Sequence, residues 1–191
     1  ELYSYLVEED KFQFIQPAVI SSKFNLPFYQ VKGLPGWSYP ILSPFIIPSA
    51  VVSWTKSFSK DGINYTHLTG SKVEKSKGSR YRGDLFVLID GGTFSAASLI
   101  ATNLKVGKRA VFVGEETGGA ASGTVAGVLP VLKLPNSHLR WRFGLMDVKP
   151  YYQVNEAGRG VMPDIPVVRS VDDVIKGKDP VLDKVLKSIK K

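Results

Sequence analysis

Ser95 stands where its type and its neighbours could do chemistry. It lies in Gly83-Asp-Leu-Phe-Val-Leu-Ile-Asp-Gly-Gly-Thr-Phe-Ser-Ala-Ala-Ser98, where a short apolar run, a double glycine and a stretch of small residues follow one another. That order predicts a strand, a tight turn and a helix running from Ser95 to Leu104. A hydroxyl in the first turn of a helix sits among unpaired backbone N–H groups at the positive end of the helix dipole. Acyl transfer requires a hydroxyl nucleophile, donors for the oxyanion and a base. Gly91-Gly92 allow a sharp bend and close approach of a substrate to the backbone. Ala96 and Ala97 leave room beside it, and their N–H groups are expected to be free. The same residues also fit a plainer role, with Ser95 or Thr93 as a helix N-cap. On these residues alone both readings stand.

The chain offers few partners for such a serine. Its two histidines are His67, with no acid beside it in sequence, and His138, in a Pro-Asn-Ser-His turn expected to be exposed. Either could be put forward as the base. Glu115 and Glu116 form a carboxylate pair of the kind used in acid–base work, but a glycosidase would need two carboxyls at a defined separation. Gly118, Gly119 and Gly123 lack the lysine and the following helix of a phosphate loop.

Composition narrows the classes. With 191 residues, the chain is long enough for one domain with a sizeable core. There is no cysteine, so disulfides and thiolate metal sites are excluded, and two histidines do not make a multi-histidine centre. No metal or other cofactor is expected. The net charge of +8 gathers between Lys72 and Arg82 and in the last eight residues, which read as a solvated loop and the outer face of a helix. No basic face interleaved with aromatics is visible, so nucleic acid is not an expected partner. Residues 40–54 are apolar but interrupted by Pro40, Pro44 and Pro48, and no run reaches the ~18 residues of a membrane span, so no integral membrane segment is expected. The N-terminus lacks a signal-type core and resembles the back half of an amphipathic helix, as a fragment or processed form would.

Around Ser95 the chain predicts the elements that would hold it. Residues 1–10 suggest a helix end and residues 11–35 one or two strands. Tyr39–Trp54 is rich in proline and reads as a packed irregular segment. Lys60-Asp-Gly62 predicts a turn, Ile63–Leu68 a short strand and Ser71–Arg80 a loop. From residue 83 the pattern sharpens. Leu85–Ile89 predicts a strand buried on both faces, and Ala110–Val113 the next one, so that strand, helix and strand form a parallel crossover unit. Val128–Leu134 and Leu139–Met146 predict a hairpin, and Ile165–Val168 a last strand. Ser170 begins a short helix. Asp179 caps a final one with Pro180 in its first turn and an apolar stripe of Val181, Leu182, Val185, Leu186 and Ile189. The chain is read as one domain, with residues 1–82 a variable segment or insertion and residues 83–191 the core.

Four stretches then occur in one order: Leu88-Ile-Asp-Gly-Gly-Thr-Phe-Ser-Ala-Ala-Ser98, Val113-Gly-Glu-Glu-Thr-Gly-Gly119, Gly160-Val-Met-Pro-Asp-Ile165 and Gly177-Lys-Asp179. Together they resemble the tail-specific, or C-terminal processing, serine peptidase family, in a form closer to its tricorn-core-like branch. The resemblance covers roughly residues 83–189. It implies an α/β fold of the ClpP/crotonase type, a spiral of βαβ units, here with an irregular or β-rich insertion in the N-terminal part. It implies Ser95 as nucleophile and the Ala96 N–H as half of the oxyanion hole. The glycine-rich motif that supplies the other half in the family does not occur in this sequence. Where one branch places a lysine base, ungapped counting gives Ala120, and no lysine lies between Lys108 and Lys133. The other branch takes its base from an N-terminal histidine and an orienting acid near the Gly-Val-x-Pro-Asp motif; Glu156 is the nearest such acid here. The implied partner is a peptide or protein, received as an added strand near Gly118, Gly119 and Gly123. The implied compartment is exported, periplasmic or cell-envelope. The expected function is proteolysis through an acyl-enzyme, with the base supplied from upstream of this chain. The alternative is a non-catalytic ligand- or peptide-binding domain on the same fold, and an acyl-CoA enzyme of that fold would not need the serine.

Overall fold

The computed structural model describes residues 2–21, 36–127, 129–155 and 158–189. In chain order its elements are α1 (Tyr3–Leu6), β1 (Lys11–Phe12), β2 (Ala18–Ile20), α2 (Ser38–Thr55), β3 (Ser57–Lys60), β4 (Ile63–Thr66), β5 (Glu74–Lys75) and β6 (Phe86–Ile89). There follow α3 (Ala96–Val106), β7 (Val111–Gly114), β8 (Thr124–Ala126), β9 (Val131–Lys133), β10 (Arg140–Arg142), β11 (Met146–Val148), β12 (Ile165–Pro166), α4 (Val171–Ile175) and α5 (Pro180–Ile189). They form two compact units built from discontinuous segments. The first takes residues 1–14, 73–123 and 150–191, the second 15–72 and 124–149.

The first unit is α/β. β6 and β7 pair in parallel, Phe86 opposite Val111 and Ile89 opposite Gly114, and β12 adds in parallel on the far side of β7. A parallel pair needs a crossover, and α3 provides it. Leu99 of α3 is buried, Ala101 and Leu104 of the same helix are buried with Ile89 and Phe112, and Tyr3 and Val7 close that core. Asp164 fastens β12 beside β7. Its Oδ2 accepts the Phe112 N–H at 2.8 Å, its own N–H donates to the Phe112 carbonyl at 2.8 Å, and its Oδ1 pairs with Lys105 of α3. Two expectations need correction here. β6 is not buried on both faces: Ile89 is buried, but Leu88 is 42% exposed because it borders an open cavity. The stripe on α5 is likewise only partly covered; Val185 is buried, whereas Leu182, Leu186 and Ile189 are exposed. The caps fall as expected. Asp179 Oδ1 accepts the Leu182 N–H at 3.1 Å, and Ser170 forms a capping box with Asp173.

The second unit is antiparallel, in the order β3-β4-β2-β11-β8. Lys60 pairs with Ile63, leaving Asp61-Gly62 as a two-residue loop with φ of 51° and 76°. That is the turn chemistry that fits the twist of a hairpin. β3 is absent from the sequence reading, because Ser-Phe-Ser-Lys carries little alternation; its pairing with β4 is what makes it a strand. β11 pairs with β2 and β8, so the expected hairpin shrinks to β9 and β10. The largest departure is α2. Residues 39–54 are not irregular; they form a helix containing Pro44 and Pro48. Pro44 removes the donor that would reach the Pro40 carbonyl, and the Ser43 hydroxyl donates to that carbonyl at 3.0 Å instead.

Candidate active site

β6 ends at Ile89 and the chain reverses through Asp90-Gly91-Gly92-Thr93. Three hydrogen bonds fix this turn. The Thr93 N–H donates to the Asp90 carbonyl at 2.9 Å, the Gly92 N–H to Asp90 Oδ1 at 2.8 Å, and the Asp90 N–H to Thr93 Oγ1 at 3.2 Å. Ser95 follows at the N-cap position of α3, but it does not cap. Its side chain makes no cap bond, and its backbone lies at φ 53° and ψ −121°, far from the extended conformation of ordinary caps. Such a conformation costs a non-glycine residue about 1–3 kcal/mol and persists where surrounding structure enforces it. The same strained strand-to-helix turn exposes the nucleophile of α/β-hydrolases. Ser95 is exposed here.

The turn is held from behind. The Thr93 carbonyl accepts both the Ser98 hydroxyl at 3.0 Å and the Gly119 N–H at 2.9 Å. Ser98 is 1% exposed. Gly118 and Gly119 are glycines because of close approach: an added Cβ would meet the Gly91 carbonyl oxygen at 2.2 Å and Ser98 Oγ at 2.1 Å, respectively. The first turn of α3 differs from expectation at one residue. The Ala97 N–H is not free but donates to the Phe94 carbonyl at 3.1 Å. Among the described residues nothing accepts the Ala96 N–H, and nothing bonds the Ser95 hydroxyl.

The segment after β7 is also fixed. Thr117 and Ala121 donate to the carbonyls of Val161 and Arg159, with Ala120 opposite Gly160 in an antiparallel bridge. Glu116 accepts the Gly160 N–H at 2.7 Å and pairs with Arg159 at 2.9 Å; Glu115 accepts the Arg169 N–H at 3.3 Å. These carboxylates orient backbone, which sets aside the acid–base pair. The buried Thr117 hydroxyl ties its own loop to the 159–161 segment, accepting from Val161 N–H and donating to the Gly119 carbonyl, each at 2.8 Å. Gly118 is exposed, Gly119 buried and Gly123 half-buried with φ 145°. Glu156 lies outside the described residues. His67 bonds Ser71 Oγ at 3.1 Å and packs on Phe58; His138 is exposed beyond its hairpin turn.

Sequence reasoning missed the supports. Ser98 and Thr117 look like ordinary small residues until the Thr93 carbonyl and the 159–161 segment come beside them. It also missed a cavity of ≈ 360 Å³ at the carboxyl ends of β6 and β7, lined by Leu88, Gly91, Gly92, Glu115, Arg169 and Asp179, among others. Open α/β sheets bind ligands at that end of their strands. Arg169 and Asp179 pair across 3.2 Å. The hydrogen bond from Leu182 N–H acts most strongly on the Asp179 carboxyl, burial opposes it, and the hydrogen bond and charge of Arg169 add to it, so that the group is held below the usual carboxylate range. Among the described residues no group of three His, Asp or Glu converges as metal ligands would.

No curated protein matches the chain. Among solved structures, mature CPAF complexed with lactacystin superposes with a TM-score of 0.59 at 18% identity, over 98% of this chain and 40% of that one. A peptidase-like protein of Parabacteroides merdae ATCC 43184 gives 0.51 at 18% identity, over 97% of this chain and 45% of that one. The chain thus spans less than half the length of these structures, and the likeness is one of fold. Residues 40–167 match peptidase family S41, a span that contains both the Ser95 turn and the Glu116–Gly160 contact. By that match the chain belongs to peptidase family S41.

Proposed function

We propose that this chain is the nucleophile-bearing part of a serine endopeptidase that works through an acyl-enzyme. The observation that carries the reading is the conformation of Ser95: exposed, at positive φ, without a cap bond, and followed at the start of α3 by an Ala96 N–H that has no acceptor among the described residues. Ser95 Oγ attacks the peptide carbonyl, its proton passes to a base, and the oxyanion forms against the Ala96 N–H. The amine leaves with a proton from the same base, and water then releases the acyl group. The peptide lies extended beside residues 118–123. The base and a second oxyanion donor come from residues outside this chain, and Glu156 orients the site. A protein or peptide substrate in an exported compartment, periplasmic or cell-envelope, belongs to the same reading.

A fluorophosphonate probe tests it. The full-length protein is expected to take up one equivalent at Ser95, and Ser95→Ala to lose both the label and peptide hydrolysis. This chain by itself is expected to hydrolyse peptides little or not at all. Robust turnover that survives Ser95→Ala sinks the assignment. The second reading, a non-catalytic peptide-binding domain, is favoured by Ala120 standing where one branch carries its lysine and by the absence of any bonded base on Ser95 among the described residues. Peptide binding by a full-length protein that the probe does not label selects it.

A further inference from the structure

Helix α2 presents a surface that the peptidase reading does not use. Ser38, Ile46 and Ala50 are buried and mark the covered side of the helix. Pro40, Pro44 and Pro48, spaced by four and all exposed, mark a line along the opposite side. Around that line stand Trp37, Ile41, Phe45, Ile47, Val51 and Trp54, with Phe45 75% and Trp37 72% exposed. No charged residue occurs between Trp37 and Thr55. The hydroxyls turn back on the helix: Ser43 donates to the Pro40 carbonyl, Ser49 to Ile46 at 2.7 Å and Thr55 to Val52 at 2.9 Å. The outer face therefore offers solvent neither charge nor a free hydroxyl. Protein interfaces carry about one hydrogen bond per 100–200 Å², for which this face has no side-chain groups. Hydroxyls that satisfy carbonyls freed by proline are how helices tolerate proline in lipid.

Charge chooses the occupant. The second unit holds nine Lys and Arg against two Asp, whereas the sixteen Lys and Arg of the first, its clusters at 75–82 and 184–191 included, are offset by fifteen Asp and Glu, so nearly all of the chain's net +8 resides in the second. Lys56 follows α2 directly, Lys60 ends β3, and both are exposed. In the same unit, the β9–β10 hairpin exposes Lys133, Arg140 and Arg142 beside Trp141. A second copy would bring like charge against like charge. An anionic bilayer brings the opposite sign and an apolar interior, with Trp37 and Trp54 at the depth that tryptophan prefers. No helix among the described residues is long and apolar enough to cross a membrane, so α2 would lie in one leaflet. We propose that the second unit docks on anionic lipid surfaces by seating the Trp37–Trp54 face of α2 in the headgroup–acyl boundary.

The test is flotation of the full-length protein with vesicles of phosphatidylcholine and phosphatidylglycerol. Trp141→Phe leaves Trp37 and Trp54 as the only reporters within this chain. Binding is expected to the anionic vesicles, and to fall at least about tenfold with phosphatidylcholine alone or at about 1 M salt. Quenching of Trp37 and Trp54 by brominated acyl chains is expected on binding. Phe45→Glu, whose side chain points to solvent, should keep its fold by circular dichroism and lose at least about tenfold in vesicle binding. Three results overturn the proposal. They are no flotation with anionic vesicles; a dimer abolished by Phe45→Glu without lipid binding; or Trp37 and Trp54 shielded from acrylamide in a monomeric full-length protein, which would show the face covered by its own chain.

Discussion

At the scale of single residues, the site rests on what lies behind Ser95. The strained backbone of Ser95 is held because the Thr93 carbonyl has two donors, Ser98 Oγ and Gly119 N–H, and because Gly118 and Gly119 fit against it without side chains. Gly119→Ala is the sharpest single change. Its Cβ would sit 2.1 Å from Ser98 Oγ and 3.2 Å from the Phe94 Cα, so the loop must retreat and the bond to Thr93 must lengthen. Overpacking of this kind costs about 1–3 kcal/mol. Urea unfolding is expected to show that loss, and phosphonate labelling of Ser95 in the full-length protein to slow by more than the lost stability explains. A variant that keeps the parental labelling rate would show that Gly119 does not hold the turn. The turn that carries Ser95 is legible in sequence, because strand, double glycine and small-residue helix are local signals. Ser98 is not, because its hydroxyl acquires a role only once Thr93 points its carbonyl inward.

At the scale of elements, the parallel sheet is fastened by a carboxylate. Burial pushes the Asp164 carboxyl up, but hydrogen bonds from Lys105 and the Phe112 N–H, together with the Lys105 charge, outweigh that and hold it below its ordinary value of 3.8. The sign follows from linkage. A depressed carboxylate contributes stability that is present above its unfolded pKa and lost as pH falls through the folded one. The pair is partly solvated, with side-chain exposures of 30% and 43%, so the effect is modest. Unfolding midpoints in urea are expected to fall from about pH 6 to about pH 3 more steeply for the parent than for Asp164→Asn. Equal slopes would mean that the Lys105–Asp164 contact does not link β12 to the crossover helix. Sequence reading reached β6, α3, β7 and α5 because each carries its own periodicity or cap. It missed α2 because three prolines argue against a helix, while the Ser43 hydroxyl that replaces a lost donor is visible only in the folded backbone. It overestimated the burial of β6 and α5 because periodicity identifies an apolar face without saying what covers it.

At the scale of the whole molecule, the two units divide the chain in a way that no local pattern announces. The shift to a regular pattern near residue 83 falls inside the first unit, and the second draws β8 and β11 from beyond it. Pairings such as Asp147 with Val19 join residues far apart in sequence, and such register is set by tertiary contact rather than by neighbouring residues. Each unit nevertheless has its own sheet, and the core of Ile89, Leu104 and Phe112 belongs to the first alone. Stability in such an arrangement need not be uniform, because cooperative opening follows compact units. Phe112→Ala removes a side chain with no exposed surface and is expected to cost about 3–5 kcal/mol. Native-state hydrogen exchange should then show protection falling sharply at Val113 and Leu88 in β7 and β6, while Val19 in β2 and Tyr65 in β4 change much less. A uniform loss across both sheets would show that the two units open as one.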